Sequence, residues 1–357
     1  MVVTSNDTVN SVPKYSDFIR SGSCEEDGND WFLVRNINAR YRFRVSLKQA
    51  LCHLTVVRCV SFSKTGEYIA TGSYNSVDIY NTTTFAKAAR LWEESESNVG
   101  GSHVLTLSFS PDGQRLAIGT LASDITIWDL SELVIIERLS GSGAGLVQSL
   151  EFSPCGNLIA FVTHRHGAKL WNMIDKSRTV DLPGPEISDS VISITFSPDG
   201  KSLAAGTYTG QVLLWNVADG SPVKQFMGHT RWVVSVAFSP NGRHLVSGGD
   251  DGTRLWNLDV PANPANATPS STLSATKETS IVPWTREAIS MSVWVKETKS
   301  RVIQDQGGVV SVCWSQDGKW IISGDSEGHV QFYDEAYKVL FVLFAHSKPG
   351  TFGSSLN

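Results

Sequence analysis

GHTRWVVSVAFSPNGRHLVSGGDDGTRLWNL, residues 228–258, holds a complete small β-unit in thirty-one residues. Period-two alternation puts Val234, Val236 and Phe238 on one face of a first strand and Val233, Ser235 and Ala237 on the other. Both faces carry apolar groups, which suits a sheet covered on both sides. Pro240-Asn241-Gly242 supplies turn chemistry, because proline fixes φ early and glycine tolerates the positive φ of a tight hairpin. A second strand at His244–Ser247, the GGDDG turn and a third strand ending at Leu255-Trp256-Asn257 complete the unit.

The same unit recurs along the chain. FSKTG (62–66), FSPDG (109–113), FSPCG (152–156), FSPDG (196–200), FSPNG (238–242) and WSQDG (314–318) place their glycines 47, 43, 44, 42 and finally 76 residues apart. A period near 43 with about four short strands per unit is the signature of an all-β propeller of the WD-repeat type. Third strands end in IWDL (127–130), LWNM (170–173) and LWNV (214–217), and more weakly at Ile79-Tyr80 and Phe332-Tyr333. Outer strands are expected at Lys87–Trp92, Leu133–Leu139, Ser177–Asp181, Pro222–Phe226, within Ser292–Ile303, and at Lys338–Phe344.

Six units are legible where seven blades are expected, so the pattern reads as a diverged or truncated seven-bladed ring. The long final step contains a Pro/Ala/Ser/Thr-rich run at 260–280 and reads as an insertion at 259–306, between the fifth and sixth units. The propeller is expected over 31–346, with a flexible segment at 1–30 and a tail at 347–357. Tyr41–Lys48 alternates suitably for a ring-closing strand. An open ring would leave Lys338–Phe344 as an exposed edge.

The chain of 357 residues is 41% hydrophobic, with a formal net charge of −5, and has no electrostatic signature of direct nucleic-acid binding. No run approaches a membrane span, and the start lacks the pattern of a signal peptide, so a soluble intracellular protein is expected. Five cysteines without C-x-x-C spacing read as reduced thiols, with Cys59 and Cys313 as small core residues. No cofactor, metal or catalytic residue is expected. His164-Arg165-His166 has no acidic or cysteine partner nearby, and Gly141–Gly145 lacks the Lys-Ser/Thr and helix of a phosphate loop. The acidic loops Glu93–Glu96 and Glu25–Asp27 read as solvated surface.

EDGNDWFLVRN (26–36), LCHLTVVRCVSFSKTGEYIATGS (51–73), LSFSPDGQRLAIGT (107–120), VLLWNV (212–217) and GHTRWVVSVAFSPNGRHLVSGG (228–249) together resemble the C-terminal propeller of the fungal Tup-type, Groucho-like general transcriptional corepressors. That resemblance covers about residues 26–346. It implies a non-enzymatic nuclear scaffold whose partners are proteins or peptides: DNA-bound transcriptional repressors and chromatin-modifying complexes. No direct nucleic-acid contact and no membrane are implied, and residues 1–25 do not read as the family's helical tetramerisation segment. An adaptor of another pathway, such as a ubiquitin-ligase substrate receptor, is the alternative role for the same fold.

In WD-repeat proteins a histidine, a hydroxyl residue, a turn aspartate and the tryptophan tie a blade together. Only the fifth unit supplies all four, as His229, Ser247, Asp251 and Trp256. Repeat alignment puts the residue before each first strand and the residue before each turn-aspartate position on one rim. Tyr74, His103, Leu121, Leu146, Tyr208 and Trp232 are the candidate partner-binding residues there, since aromatic and apolar groups on a rim make binding hot spots.

Overall fold

The computed structural model describes residues 24–26, 32–35, 51, 53, 55–92, 103–122, 124–139, 146–164, 167–175, 179–184, 191–258, 281–283, 293–297, 301–303, 308–326, 328–334 and 339–344. Among them are six sheets, each built on an antiparallel four-stranded blade, and no helix. Blade 1 comprises Cys59–Phe62, Tyr68–Gly72, Ser76–Asn81 and Lys87–Trp92. Blade 2 comprises Val104–Phe109, Arg115–Thr120, Ile125–Asp129 and Val134–Leu139. Blade 3 is Val147–Phe152, Leu158–Thr163, Gly167–Asn172 and Thr179–Leu182. Blade 4 is Val191–Phe196, Ser202–Thr207, Gln211–Asn216 and Pro222–Met227. Blade 5 takes Val233–Phe238, His244–Gly249, Gly252–Asn257 and, from far along the chain, Arg301–Ile303. Blade 6 is Val309–Trp314, Ile321–Asp325, His329–Tyr333 and Val339–Phe344.

The recurring Phe-Ser-Pro-Asp-Gly phrase makes the first hairpin of each blade. In blade 2 the Gly113 N–H donates to the Ser110 carbonyl at 2.9 Å, and the Arg115 N–H donates to Ser110 Oγ at 2.9 Å. Gly113 sits at φ +71°, and its five counterparts lie between +70° and +75°, which is why glycine closes every one of these turns. Asn241 replaces the aspartate in blade 5, and the Ser239 hydroxyl donates to its Oδ1 at 2.7 Å.

The core lies between blades. Ala70, Val77 and Ile79 of blade 1 pack with Leu107, Phe109, Leu116 and Trp128 of blade 2, and the junction of blades 4 and 5 is similarly filled around Phe226, Val236, Phe238 and Trp256. Polar groups reinforce the apolar packing. The N–H groups of Leu150 and Phe152 donate to Thr106 Oγ1 and Ser108 Oγ of the preceding blade, at 3.2 and 3.0 Å. Ile194 and Phe196 donate to Ser149 Oγ and Glu151 Oε2 at 3.2 and 2.8 Å, and Val312 donates to Ser235 Oγ at 3.0 Å. In blades 2, 3 and 5 the inner strand thus offers side-chain acceptors to the next blade from one face.

Strict alternation misassigns the start of that strand. The ladder of blade 5 slips between Val233 and Ser235, so Val233, and not Val234, joins Val236 and Phe238 in the core. The bulge recurs in blades 2, 3, 4 and 6, where it lets the chain bend into the blade.

Two additions extend the blades. Phe32–Arg35 pairs antiparallel with Val339–Phe344, from Phe32↔Phe344 to Arg35↔Phe341, and Cys24–Glu26 pairs outside it. The edge expected to be exposed on blade 6 is therefore covered by the chain's own N-terminal strands; Tyr41–Lys48, the expected closing strand, lies outside the described residues. Within the 259–306 span, Val293–Glu297 pairs in parallel with Pro222–Met227 of blade 4, and Ile281–Pro283 pairs with it in turn.

Candidate functional site: an aromatic rim

The turn after the second strand of one blade meets the residue leading into the next blade. Tyr74 forms an isolated bridge with His103, and their rings meet edge to face at 4.9 Å. The same relationship one half-turn of blades further on joins Tyr208 of blade 4 to Trp232 of blade 5, at 5.2 Å and 74°. His164 of blade 3 abuts Tyr208 at 6.2 Å, so His164, Tyr208 and Trp232 make a row across three blades. Gln148 Nε2 on the inner strand of blade 3 donates to the Tyr208 hydroxyl at 2.8 Å and fixes the middle ring.

Exposure separates these residues by role. Trp232 is 53% exposed, Leu121 47% and Tyr74 41%, whereas His103, Leu146 and Tyr208 are half-buried. Leu121 is held beside His103 by its N–H donating to the His103 carbonyl at 2.9 Å, and His164 is tied likewise to the Leu146 carbonyl at 3.2 Å. The six rim candidates therefore divide into a group of Tyr74, His103 and Leu121 and a second group, in which Leu146 holds His164 and Tyr208 and Trp232 continue the row. Gln148 was missed in the sequence because it sits at a bulge, where its direction depends on the ladder slip between Val147 and Ser149.

Beneath the row, blade 5 is tied by its four polar residues. Trp256 Nε1–H donates to Ser247 Oγ at 2.8 Å, Ser247 Oγ lies 2.7 Å from His229 Nε2, and His229 Nδ1 meets Asp251 Oδ1. The Thr230 N–H donates to Asp251 Oδ2 at 2.8 Å, so the carboxylate also anchors the segment that leads through Trp232 into the first strand of blade 5. With Nδ1 protonated toward Asp251, the neutral imidazole accepts from Ser247, and the donors run in one direction from tryptophan to carboxylate. Burial lowers the His229 pKa against the opposing pull of Asp251. Burial works to raise the Asp251 carboxyl, but hydrogen bonds from His229 and Thr230 outweigh it and hold it below its ordinary value.

The pH consequence follows by linkage. As pH falls below about 6.5 the unfolded chain protonates His229 before the folded one does, so this site loses stability toward acid, and Asp251 adds to the loss below about 3.8. Replacing Asp251 with alanine leaves the His229 and Thr230 donors without their acceptor and is expected to cost about 1–3 kcal/mol in urea unfolding at pH 7.5. Asp251→Asn, which keeps an acceptor, is expected to cost less.

Two polar clusters were not legible in the sequence. In blade 6, His329 Nδ1 lies 2.8 Å from Asp325 Oδ2, and the Tyr333 hydroxyl donates to Gln331 Oε1 at 3.0 Å. In blade 1 the buried Asp78 accepts from Lys87 Nζ at 2.9 Å and from Arg90 Nη2 at 3.3 Å, both at Oδ2. The signal for the second was Asp78 itself, a carboxylate where the other blades carry Thr126, Lys169, Leu213, Arg254 and Gln331. Among the described residues no group of histidine, cysteine or acidic side chains is placed to hold a metal ion. Burial pushes the Cys59 thiol up to about 12, which leaves it unreactive as a nucleophile.

These blades and their turns define a WD-repeat β-propeller protein. Residues 45–81, 96–129, 220–257 and 298–334 match the family described as WD domain, G-beta repeat, and 150–235 match the anaphase-promoting complex subunit 4 WD40 domain. Among curated proteins the chain is similar to the general transcriptional corepressor tupA of Dictyostelium discoideum, at 31% identity over 106 residues, covering 30% of this chain and 18% of tupA. It is also similar to the general transcriptional corepressor TUP1 of Saccharomyces cerevisiae, at 26% identity over 32% of this chain and 23% of TUP1. The transcriptional repressor rco-1 of Neurospora crassa matches at 31% identity over 32% of this chain and 19% of its own length. The chain thus spans well under half the length of each of these corepressors. Fold and relatives point to an interaction scaffold and away from an enzyme.

Proposed function

We propose that this chain is a non-enzymatic corepressor module of the Tup type, which works in the nucleus by holding DNA-bound repressors and chromatin-modifying proteins on its rim. The observation that carries this reading is the row His164, Tyr208 and Trp232, since adjoining aromatic rings with an exposed tryptophan at one end form a ready anchor for a peptide or domain. Similarity to tupA, TUP1 and rco-1 supplies the partner class. The second reading is an adaptor in another assembly, for which the match of residues 150–235 to an anaphase-promoting complex subunit domain speaks.

The test is a reporter gene repressed by the chain tethered to DNA. Trp232→Ala is expected to weaken partner affinity by about 2 kcal/mol, roughly thirtyfold, as for a central hot spot. Its effect on stability is expected to stay within about 0.5 kcal/mol, because the side chain is largely exposed. Repression unchanged in Trp232→Ala and in Tyr208→Ala would remove the rim from the account, and absence of repression by the tethered parent chain would remove the corepressor role.

A further inference from the structure

The row of His164, Tyr208 and Trp232 differs in exposure along its length. His164 and Trp232 are exposed at its two ends and Tyr208 between them is half-buried, so the outer rings flank a more enclosed middle. The middle ring is held by the amide of Gln148, and the sequence of the inner strands makes that amide conspicuous. At the ladder slip of the inner strand the bulged residue is Leu105 in blade 2, Ile192 in blade 4, Val234 in blade 5 and Val310 in blade 6. Blade 3 places Gln148 there, the one polar side chain among these five, so the fold itself does not call for an amide at this point.

The Gln148 amide is one hydrogen bond short. Its Nε2 donates to the Tyr208 hydroxyl at 2.8 Å, while its Oε1 is buried without a partner. An enclosed acceptor left unpaired is destabilising, and native proteins keep few of them. The Tyr208 hydroxyl, having accepted from Nε2, keeps its own proton to donate. Turning the amide over changes the labels and not the result. Oε1 then accepts from the Tyr208 O–H, which leaves Nε2 to donate and the hydroxyl oxygen to accept. In either orientation the pair offers one donor and one acceptor side by side, the complement of an N–H and a C=O on one planar group.

We infer that Gln148 and the Tyr208 hydroxyl are the specificity element of the rim, and that they recognise a backbone peptide group in an extended segment of the partner. The side chains on either side of that group lie against His164 and Trp232. A backbone group fits better than a side-chain amide, because it brings a side chain to each of the two exposed rings. The Gln148 amide turns about a side-chain bond, so its unpaired half is reached without movement of the backbone. This inference rests on the rim reading above and adds what the rim recognises: a peptide bond between two apolar contacts.

The probe is a peptide selected from a displayed random library on the full chain and counter-selected on the Trp232→Ala protein. Each backbone N–H of that peptide is then removed in turn by amide-to-ester replacement, which leaves its side chains intact. One ester is expected to bind the parent about tenfold more weakly than the amide, and the two are expected to bind Gln148→Leu equally. Tyr208→Phe, which keeps the ring, is expected to narrow the same difference. The urea midpoint of Gln148→Leu is expected to match that of the parent, since the substitution also removes the unpaired acceptor. A lowered midpoint with the ester difference intact would make Gln148 structural and overturn the proposal. Peptides whose esters all bind like the amide would overturn it and leave the rim in place, as would a peptide that depends on an asparagine or glutamine side chain instead of its backbone. A library that yields no peptide sensitive to Trp232→Ala would overturn the rim reading itself, and this inference with it.

Discussion

Truncation of Trp256 to alanine is expected to lower the stability of the protein by about 3–5 kcal/mol, the range for removing a fully enclosed large aromatic side chain. Two losses combine in this estimate of effect. The indole ring fills the junction between blades 4 and 5, where it lies 5.2 Å from the ring of Phe226, and no neighbouring strand is free to collapse into the space left behind. Its N–H also ends the donor chain through Ser247 and His229 to Asp251. Trp256→Phe separates the two, since it keeps most of the packing and removes the donor, and is expected to cost about 1–2 kcal/mol. Urea midpoints measured at pH 7.5 check both variants. A loss under about 1.5 kcal/mol in the alanine variant would show that the junction does not hold blade 5 in place.

Glu151→Gln is expected to stabilise the protein at pH 8 and to do nothing below about pH 4. Glu151 stands in the inner strand of blade 3 at the position that Ser108 holds in blade 2, and its carboxylate reaches across to the Phe196 N–H at 2.8 Å. Burial pushes its pKa up to about 7, against the lowering effect of the hydrogen bonds from Phe196 and Thr195. The unfolded chain releases this proton near 4.5, so between about 4.5 and 7 it binds fewer protons than the folded chain and stability falls as pH rises. The displacement corresponds to about 3 kcal/mol at the alkaline end, at roughly 1.4 kcal/mol per pH unit. Glutamine keeps an acceptor for Phe196 and carries no charge. Thermal unfolding from pH 4 to pH 8 reads the difference, and parallel curves for parent and variant would contradict it. His229 works in the opposite sense, losing stability toward acid, so the two sites are separable by the sign of their slopes.

Much of the architecture was legible because the blade is a local object. The turns at Gly66, Gly113, Gly156, Gly200, Gly242 and Gly318 are specified within five residues, and the outer strand Lys87–Trp92 has the bounds expected from its alternation. What depends on contacts between distant segments was not legible. The bulge that turns Val233 inward answers to the neighbouring strand, and the pairing of Phe32–Arg35 with Val339–Phe344 joins residues over 300 positions apart. Arg301–Ile303 supplies the outer strand of blade 5 from beyond the long insertion, inside the span 292–303 expected to hold it, but which residues form it is decided only by pairing with Thr253–Leu255. The exposure of Val60 and Phe62 was not legible either, because nothing in a strand's own sequence states whether a neighbour is present to cover it.

The rim shows the same division. Repeat alignment identified Tyr208 and Trp232 one by one, while their contact, and the hold of Gln148 on Tyr208, emerge only when blades 3, 4 and 5 are side by side. Asp78 was overlooked because an aspartate in a third strand looks like a solvated residue until Lys87 and Arg90 of the adjacent strand enclose it.

The most direct test of the scaffold account is quantitative affinity capture with the full chain, run beside Trp232→Ala and Tyr208→Ala proteins whose unfolding midpoints match the parent. Recovery of histone-modifying enzymes together with sequence-specific DNA-binding repressors, reduced at least tenfold in the rim variants, is the predicted result. Recovery of the same proteins in equal amount by parent and variants, or of a different class of assembly altogether, would contradict it.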